Sequence, residues 1–367
     1  MATTKIRVRR ISKTEEFQNL KDSWDALLVQ NHRQSGFITW EWLFSWREIY
    51  GQEDQLWLIT AWQGEELVGL IPLVHHDENL KGFRFRTLQS LGSPQRDVSG
   101  ILVKNMDGKI LSAMAEYLVE QKDQWDMVVF AYYTQNDPAL IALKLTFQNA
   151  GYAGVDKSSE QFYLQLEGNW NSFRATLSKN FRKNLRRATR NAQEKGMVSL
   201  KHFKGKEANW HVFQKIIALN EYSNFPIIYN SLKEQEFNKN LLKNMQKKAI
   251  FDIFLLYIED RLVAYEYGFT HNQRYESWRA GYDTRYDPKV SSGKLLAQMS
   301  IEKSFELGYQ EVDFLRGDEP YKLGWKPSAR KYTKARFIKK NNFPALYLFI
   351  WLPKTKSWLK QYFRKSI

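Results

Sequence analysis

Polar and apolar residues alternate over residues 5–11, the period of a strand half buried in a sheet. The period changes to that of a helix over 17–29 and 40–49. Two apolar runs, 56–62 and 67–75, flank Gln63-Gly64-Glu65, a turn signal that predicts a hairpin. Residues 83–91 and 98–103 read as strands, 111–119 as a helix, and 125–130 as a buried strand.

The second half of the chain repeats this order. Residues 253–258 and 262–269 are predicted strands joined by Glu259-Asp260-Arg261, and 275–282 is a third strand. A helix is predicted over 293–307, stopped by Gly308, and strands over 312–315 and 332–338. Gly64-Glu65-Glu66-Leu67-Val68-Gly69 lies against Glu259-Asp260-Arg261-Leu262-Val263-Ala264. Hairpin, strand, helix and strand then follow in both halves. A repeat this long predicts a duplicated domain rather than a solenoid, whose period is about 20–50 residues.

Between the halves, residues 170–195 place Phe173, Leu177, Phe181, Leu185, Ala188 and Ala192 on one helical face. The remainder is cationic: Lys179, Arg182, Lys183, Arg186, Arg187 and Arg190. Helices over 210–221 and 232–248 precede the second hairpin. The chain is thus expected to be α/β with mixed sheets. Its expected parts are 1–168, 169–340 and a basic, aromatic tail over 341–367 that holds Trp351, Trp358 and Phe363. That tail has the composition of an interfacial segment, and a final helix packed on the first domain is the alternative.

Composition narrows the chemistry. The 367 residues contain no cysteine, which removes thiolate zinc sites and a cysteine nucleophile. None of the six histidines forms the i, i+4 pair of a helical zinc site, so no metal is expected. The net charge of +15 calls for polyanionic partners: nucleic acid, an acidic membrane face, or phosphorylated substrates. The start of the chain has no apolar core, so no signal peptide is expected. The longest apolar run, 343–352, is shorter than the roughly 20 residues a spanning helix needs. A cytoplasmic protein is expected, with peripheral contact at the inner membrane face through the tail.

Three segments carry a family resemblance: Gly281-Tyr282-Asp283 with Tyr286-Asp287-Pro288, then Ser291-Ser292-Gly293-Lys294-Leu295-Leu296, then Asp313-Phe314-Leu315-Arg316-Gly317-Asp318-Glu319-Pro320-Tyr321-Lys322. Together they resemble the signature of the CelD/BioF2-like acetyltransferases, a branch of the GNAT superfamily. The basic stretch 179–187 and Leu91-Gly92-Ser93 to Asp97 resemble it too. The branch is similar in architecture to the Fem peptidyltransferases, so the resemblance implies two tandem GNAT-like domains and acyl-CoA (acetyl-CoA) as co-substrate. One departure is Ser292, where the family often has proline.

The residues themselves support that chemistry. A helix N-terminus after a strand offers free N–H groups and a favourable dipole to a pyrophosphate. Ser291, Ser292, Gly293 and Lys294 form such a turn, with an ordinary serine N-cap as the alternative. The matching turn of the first half, Asp107-Gly108-Lys109, opens with an acid, which assigns the cofactor to the second domain. Amine transfer needs a base. Glu266 sits on a strand among Leu262, Ala264 and Gly268, where burial raises a carboxyl pKa. The first half has Ile71 at the matching place. A structural pair of Glu266 with Arg279 is the alternative. Asp313 is a rival base or else an ion-pair partner of Lys322 or Arg316. Tyr321 is a candidate proton donor to a thiolate, or a core aromatic. Trp278, Arg279, Asp318 and Lys322 are candidate acceptor contacts, and the resemblance implies the same for Asp97, with a turn-forming aspartate as the alternative.

The expected function is transfer of an acyl group from acyl-CoA to an amine or hydroxyl of a sugar, polysaccharide precursor or lipid-linked envelope acceptor. A Fem-like transferase using aminoacyl-tRNA is the first alternative. A non-enzymatic protein binding nucleic acid or membrane through the 179–190 helix is the second.

Overall fold

The computed structural model describes residues 5–31, 34–223, 231–317 and 319–353. The strands are β1 (Ile6–Ile11), β2 (Gln55–Gln63), β3 (Glu66–Leu80), β4 (Phe83–Ser90), β5 (Leu102–Val103), β6 (Met127–Thr134), β7 (Tyr152–Gln165), β8 (Val198–Lys204), β9 (Phe251–Ile258), β10 (Arg261–His271), β11 (Arg274–Tyr282), β12 (Glu311–Arg316) and β13 (Ser328–Lys339). The helices are α1 (Thr14–Gln18), α2 (Lys21–Val29), α3 (Trp40–Ile49), α4 (Gly108–Glu120), α5 (Pro138–Asn149), α6 (Trp170–Thr176), α7 (Lys179–Gln193), α8 (Trp210–Asn220), α9 (Leu232–Met245), α10 (Ser292–Glu306), α11 (Pro320–Leu323) and α12 (Phe343–Leu346).

These elements form two compact units, one from residues 1–33, 51–159 and 331–367, the other from 34–50 and 160–330. The units are therefore not the contiguous segments 1–168 and 169–340. The second unit takes α3 from the first half of the chain, and the first takes most of β13 from the second half.

In the first unit β1, β2, β3 and β4 pair antiparallel in order, β4 pairs β6 in parallel, and β6 pairs β13 antiparallel. Its core joins Trp57, Ile71, Met114, Trp125, Phe147 and Phe337. In the second unit β8, β9, β10 and β11 pair antiparallel in order, β11 pairs β12 in parallel, and β12 pairs β7 antiparallel. Its core joins Leu185, Phe254, Leu256, Leu295, Val312 and Trp325. In each unit a helix, α4 or α10, links the two parallel strands, as a parallel connection demands. The repeat seen in the residues is a repeat of topology.

The predicted helix over 170–195 is two helices. Leu177 is buried in an extended conformation, and the Ser178 hydroxyl accepts the Phe181 N–H at 3.2 Å to start α7. The side-chain cap competes with helix continuation and wins. The predicted strand over 98–103 shrinks to the two residues of β5. At the far end, Ala345, Leu346 and Leu348 pack on Phe85, Met127 and Ile338 of the first unit. The tail is thus packed on the core as far as it is described, and residues 354–367 lie outside the described residues. Among the described residues no helix is long and apolar enough to cross a membrane.

Candidate active site

The parallel ladder between β11 and β12 is short. It runs from Arg274↔Glu311 to Glu276↔Asp313 and stops there, although both strands continue. Beyond that point β11 bulges: Tyr267 faces Arg279 and Gly268 faces Ser277, so Trp278 is the extra residue. Only glycine fits at 268, because a Cβ there would lie 1.8 Å from the Glu276 carbonyl oxygen.

Glu266 on β10 pairs with Ala280, beside the part of β11 that β12 does not cover. Its side chain is buried, and the hydroxyls of Ser277, Ser300 and Tyr275 surround it. Burial pushes its pKa up, and those hydroxyls only partly oppose the shift. The alternative pairing with Arg279 does not occur. Arg279 instead lies 3.9 Å from Glu234, which also accepts a hydrogen bond from the Tyr50 hydroxyl. Tyr321 is half exposed, and its hydroxyl pKa is raised by partial burial, then by Glu266 and Glu319. Glu266 and Tyr321 thus share one electrostatic neighbourhood.

Helix α10 begins at the far end of β11. Ser291 is left-handed, with φ 54° and ψ 56°, and its side chain makes no capping bond. The first i→i−4 bond of the helix is Leu295 N–H to the Ser291 carbonyl at 3.1 Å, so the Ser292 and Gly293 amides precede the ladder. No acid stands in the first turn, and Lys294 adds a cation. The matching helix α4 differs. Its N-cap Asp107 accepts the Lys109 N–H at 2.8 Å, so its own carboxylate fills the anion position. The donors around α10 suit the pyrophosphate of a coenzyme A thioester, and those at α4 do not.

Asp313 has a different setting from its rival. Its partner is neither Lys322 nor Arg316 but Arg330, at 3.0 Å. Arg330 also forks onto Glu311 at 2.9 and 3.2 Å and lies over the Tyr163 ring. The second Asp313 oxygen accepts the Leu315 N–H at 2.9 Å, where the chain turns through a positive φ. Glu276, next to Asp313 in the ladder, is held by the Ser35 hydroxyl at 2.8 Å, the Gly36 N–H at 3.0 Å and Arg274 at 3.0 Å.

Two candidate acceptor contacts have other work. Trp278 is buried among Phe37, Trp42, Phe237 and Phe269, a core aromatic. Lys322 is buried, and its ammonium donates to the carbonyls of Phe314 at 3.1 Å, Arg316 at 2.9 Å and Gly317 at 3.2 Å. It ties the loop after β12 to α11. Lys322→Met leaves three carbonyls without their donor, and about 1–3 kcal/mol of stability is expected to go, read by denaturant melts, with faster amide exchange in that loop. Asp97 is buried in the first unit. Asp318 lies outside the described residues.

The residues that hold Glu266 were partly legible: Tyr275 and Ser277 alternate on the neighbouring strand. Arg330 carried no local signal.

Residues 179–323 match the model of an acetyltransferase (GNAT) domain. No curated protein matches the sequence. Among solved structures, FemX superposes with a TM-score of 0.62 at 10% identity, over 94% of this chain and 99% of its own. A C-terminal domain named for a lysylphosphatidylglycerol synthetase of Agrobacterium fabrum gives 0.56 at 9%, over 92% and 95%. L-PGS from Bacillus licheniformis gives 0.54 at 11%, over 89% and 94%. Identities this low carry the fold alone. Residues 179–323 therefore carry an acetyltransferase (GNAT)-like domain, and the chain, with its duplicated topology, shares its fold with FemX.

Proposed function

We propose that the second unit transfers an acyl group from acyl-CoA (acetyl-CoA) to an amine or hydroxyl of a saccharide, polysaccharide precursor or lipid-linked envelope acceptor. The observation that carries the reading is the uncapped start of α10 at the end of the strand beside Glu266. Ser291, Ser292, Gly293 and Lys294 would hold the pyrophosphate. When bound, the thioester supplies an activated acyl group. Glu266, with its raised pKa, takes the proton from the acceptor nitrogen or oxygen. Tyr321 holds a proton at its hydroxyl for a departing thiolate.

Titration calorimetry with acetyl-CoA and free CoA tests this beside Gly293→Asp. The variant should fold, since an acid in the first turn favours the helix and the atoms nearest the new Cβ belong to the Tyr282 ring, the first at 3.1 Å, which a small ring shift accommodates. Saturable binding by the parent and its loss in the variant is the expected result. A folded parent that binds neither ligand overturns the reading.

One feature favours a second reading, transfer from aminoacyl-tRNA. Lys179, Lys183, Arg186 and Arg187 are exposed on α7, and none has an ion-pair partner among the described residues. Failure to bind CoA together with tRNA binding that falls steeply with salt would support it.

A further inference from the structure

The turn between β4 and β5 in the first unit holds a cation without a counter-charge among the described residues. Arg96 is 0% exposed, and its Nε, Nη1 and Nη2 atoms all lack a hydrogen-bond partner among the described residues. Its backbone is fixed, with the N–H donating to the Gly92 carbonyl at 3.1 Å. Burial draws its pKa down to about 10, and the groups that oppose this are the phenols of Tyr133 and Tyr132, not a carboxylate. Asp97, its neighbour in sequence, is not among them.

The surroundings offer donors as well. Ser93 Oγ and Ser99 Oγ on the same turn are buried without partners. The Tyr133 hydroxyl, within reach of Arg96 and Ser90, completes no hydrogen bond either. The frame is rigid: the Ser99 N–H donates to the Tyr132 carbonyl at 2.9 Å, and Tyr132 is held at φ 66°, a conformation costly for a tyrosine. An unpaired buried guanidinium is among the most expensive groups a fold can retain. A planar fork of N–H donors ringed by hydroxyls matches an oxyanion.

We propose that Arg96, with Ser93, Ser99 and Tyr133, is a receptor within the first unit for an oxyanion, a phosphate or a carboxylate. The site does not depend on the transferase reading. Because the guanidinium is shut from solvent, loading requires the 91–99 turn to lift.

The test is thermal unfolding with increasing inorganic phosphate, and separately acetate. It is run on the Gly293→Asp protein, so that the start of α10 contributes nothing. A saturable rise in Tm is expected with at least one anion, and which one identifies phosphate or carboxylate. Adding Arg96→Met should abolish the rise. Without anion the added substitution should leave Tm unchanged or higher, since it removes an uncompensated charge. No rise with either anion, an equal rise in both proteins, or a lower Tm for Arg96→Met without anion overturns the proposal. Should Arg96→Met fail to fold, Tyr133→Phe replaces it, and an unchanged anion response then overturns the proposal. A protein that ignores CoA but still responds to phosphate through Arg96 keeps this site while losing the transferase reading.

Discussion

Glu266→Gln is expected to lower turnover by about 10²–10⁴-fold while acetyl-CoA binding stays unchanged. Glutamine keeps the shape and stays beside the hydroxyls of Ser277, Ser300 and Tyr275, so the strand and its neighbours should hold. What is lost is the proton acceptor. In the parent, activity should rise with pH through the raised pKa of Glu266, and the variant should lose that limb. Stability should move the other way. A carboxyl whose folded pKa lies above its unfolded one contributes most below the unfolded pKa, near 4.3, and that contribution is lost as pH rises through the folded value. At neutral pH the glutamine variant should therefore melt higher than the parent, and near pH 3 the difference should vanish. Steady-state rates with an acceptor found by screening amino sugars, and melts at the two pH values, check both halves. Parent-like turnover in the variant would remove Glu266 from the chemistry.

Much of this site was legible because its parts are local. The hairpins announced themselves through Gly64 and Glu259, both at positive φ, and α10 was bounded by the Ser291 turn and by Gly308 at φ 72°. The contrast between an acid-led turn at α4 and a serine-glycine turn at α10 could be read residue by residue, and the caps follow it. Elements set by distant partners were not legible. β7 has a polar middle, Asp156 to Glu160, that shows no strand period, so pairing with β13 and β12 rather than pattern makes it a strand. α5 opens with a proline after a capping Asp137, a local start signal carried by the residues themselves. The exchange of α3 and β13 between the units, the pairing of Asp313 with Arg330 and the burial of Arg96 are tertiary facts. Burial turns an ordinary loop arginine into a charge in need of a partner, and no spacing encodes burial.

Arg330→Met is expected to be the most destabilising of these substitutions, by about 3–5 kcal/mol in denaturant melts. Arg330 is the cation for two carboxylates, and Asp313 is only 1% exposed. Without it only Arg274 and the Leu315 N–H would oppose the burial that already raises the Asp313 pKa. Breaking one partner of a buried pair leaves the other uncompensated, whereas neutralising both is far milder. Adding Asp313→Asn should therefore recover part of the loss, a coupling that a double-mutant cycle measures. The same variants settle the choice of base. Asp313 spends one oxygen on Arg330 and the other on the Leu315 N–H, at the turn where β12 leaves β11. A carboxylate so engaged anchors backbone and already has a partner on each oxygen. Asp313→Asn alone should then keep turnover near that of the parent, with a modest loss of stability. If it instead abolishes turnover as Glu266→Gln should, while CoA still binds, the proton acceptor is Asp313 and the hydroxyl-lined Glu266 is the scaffold.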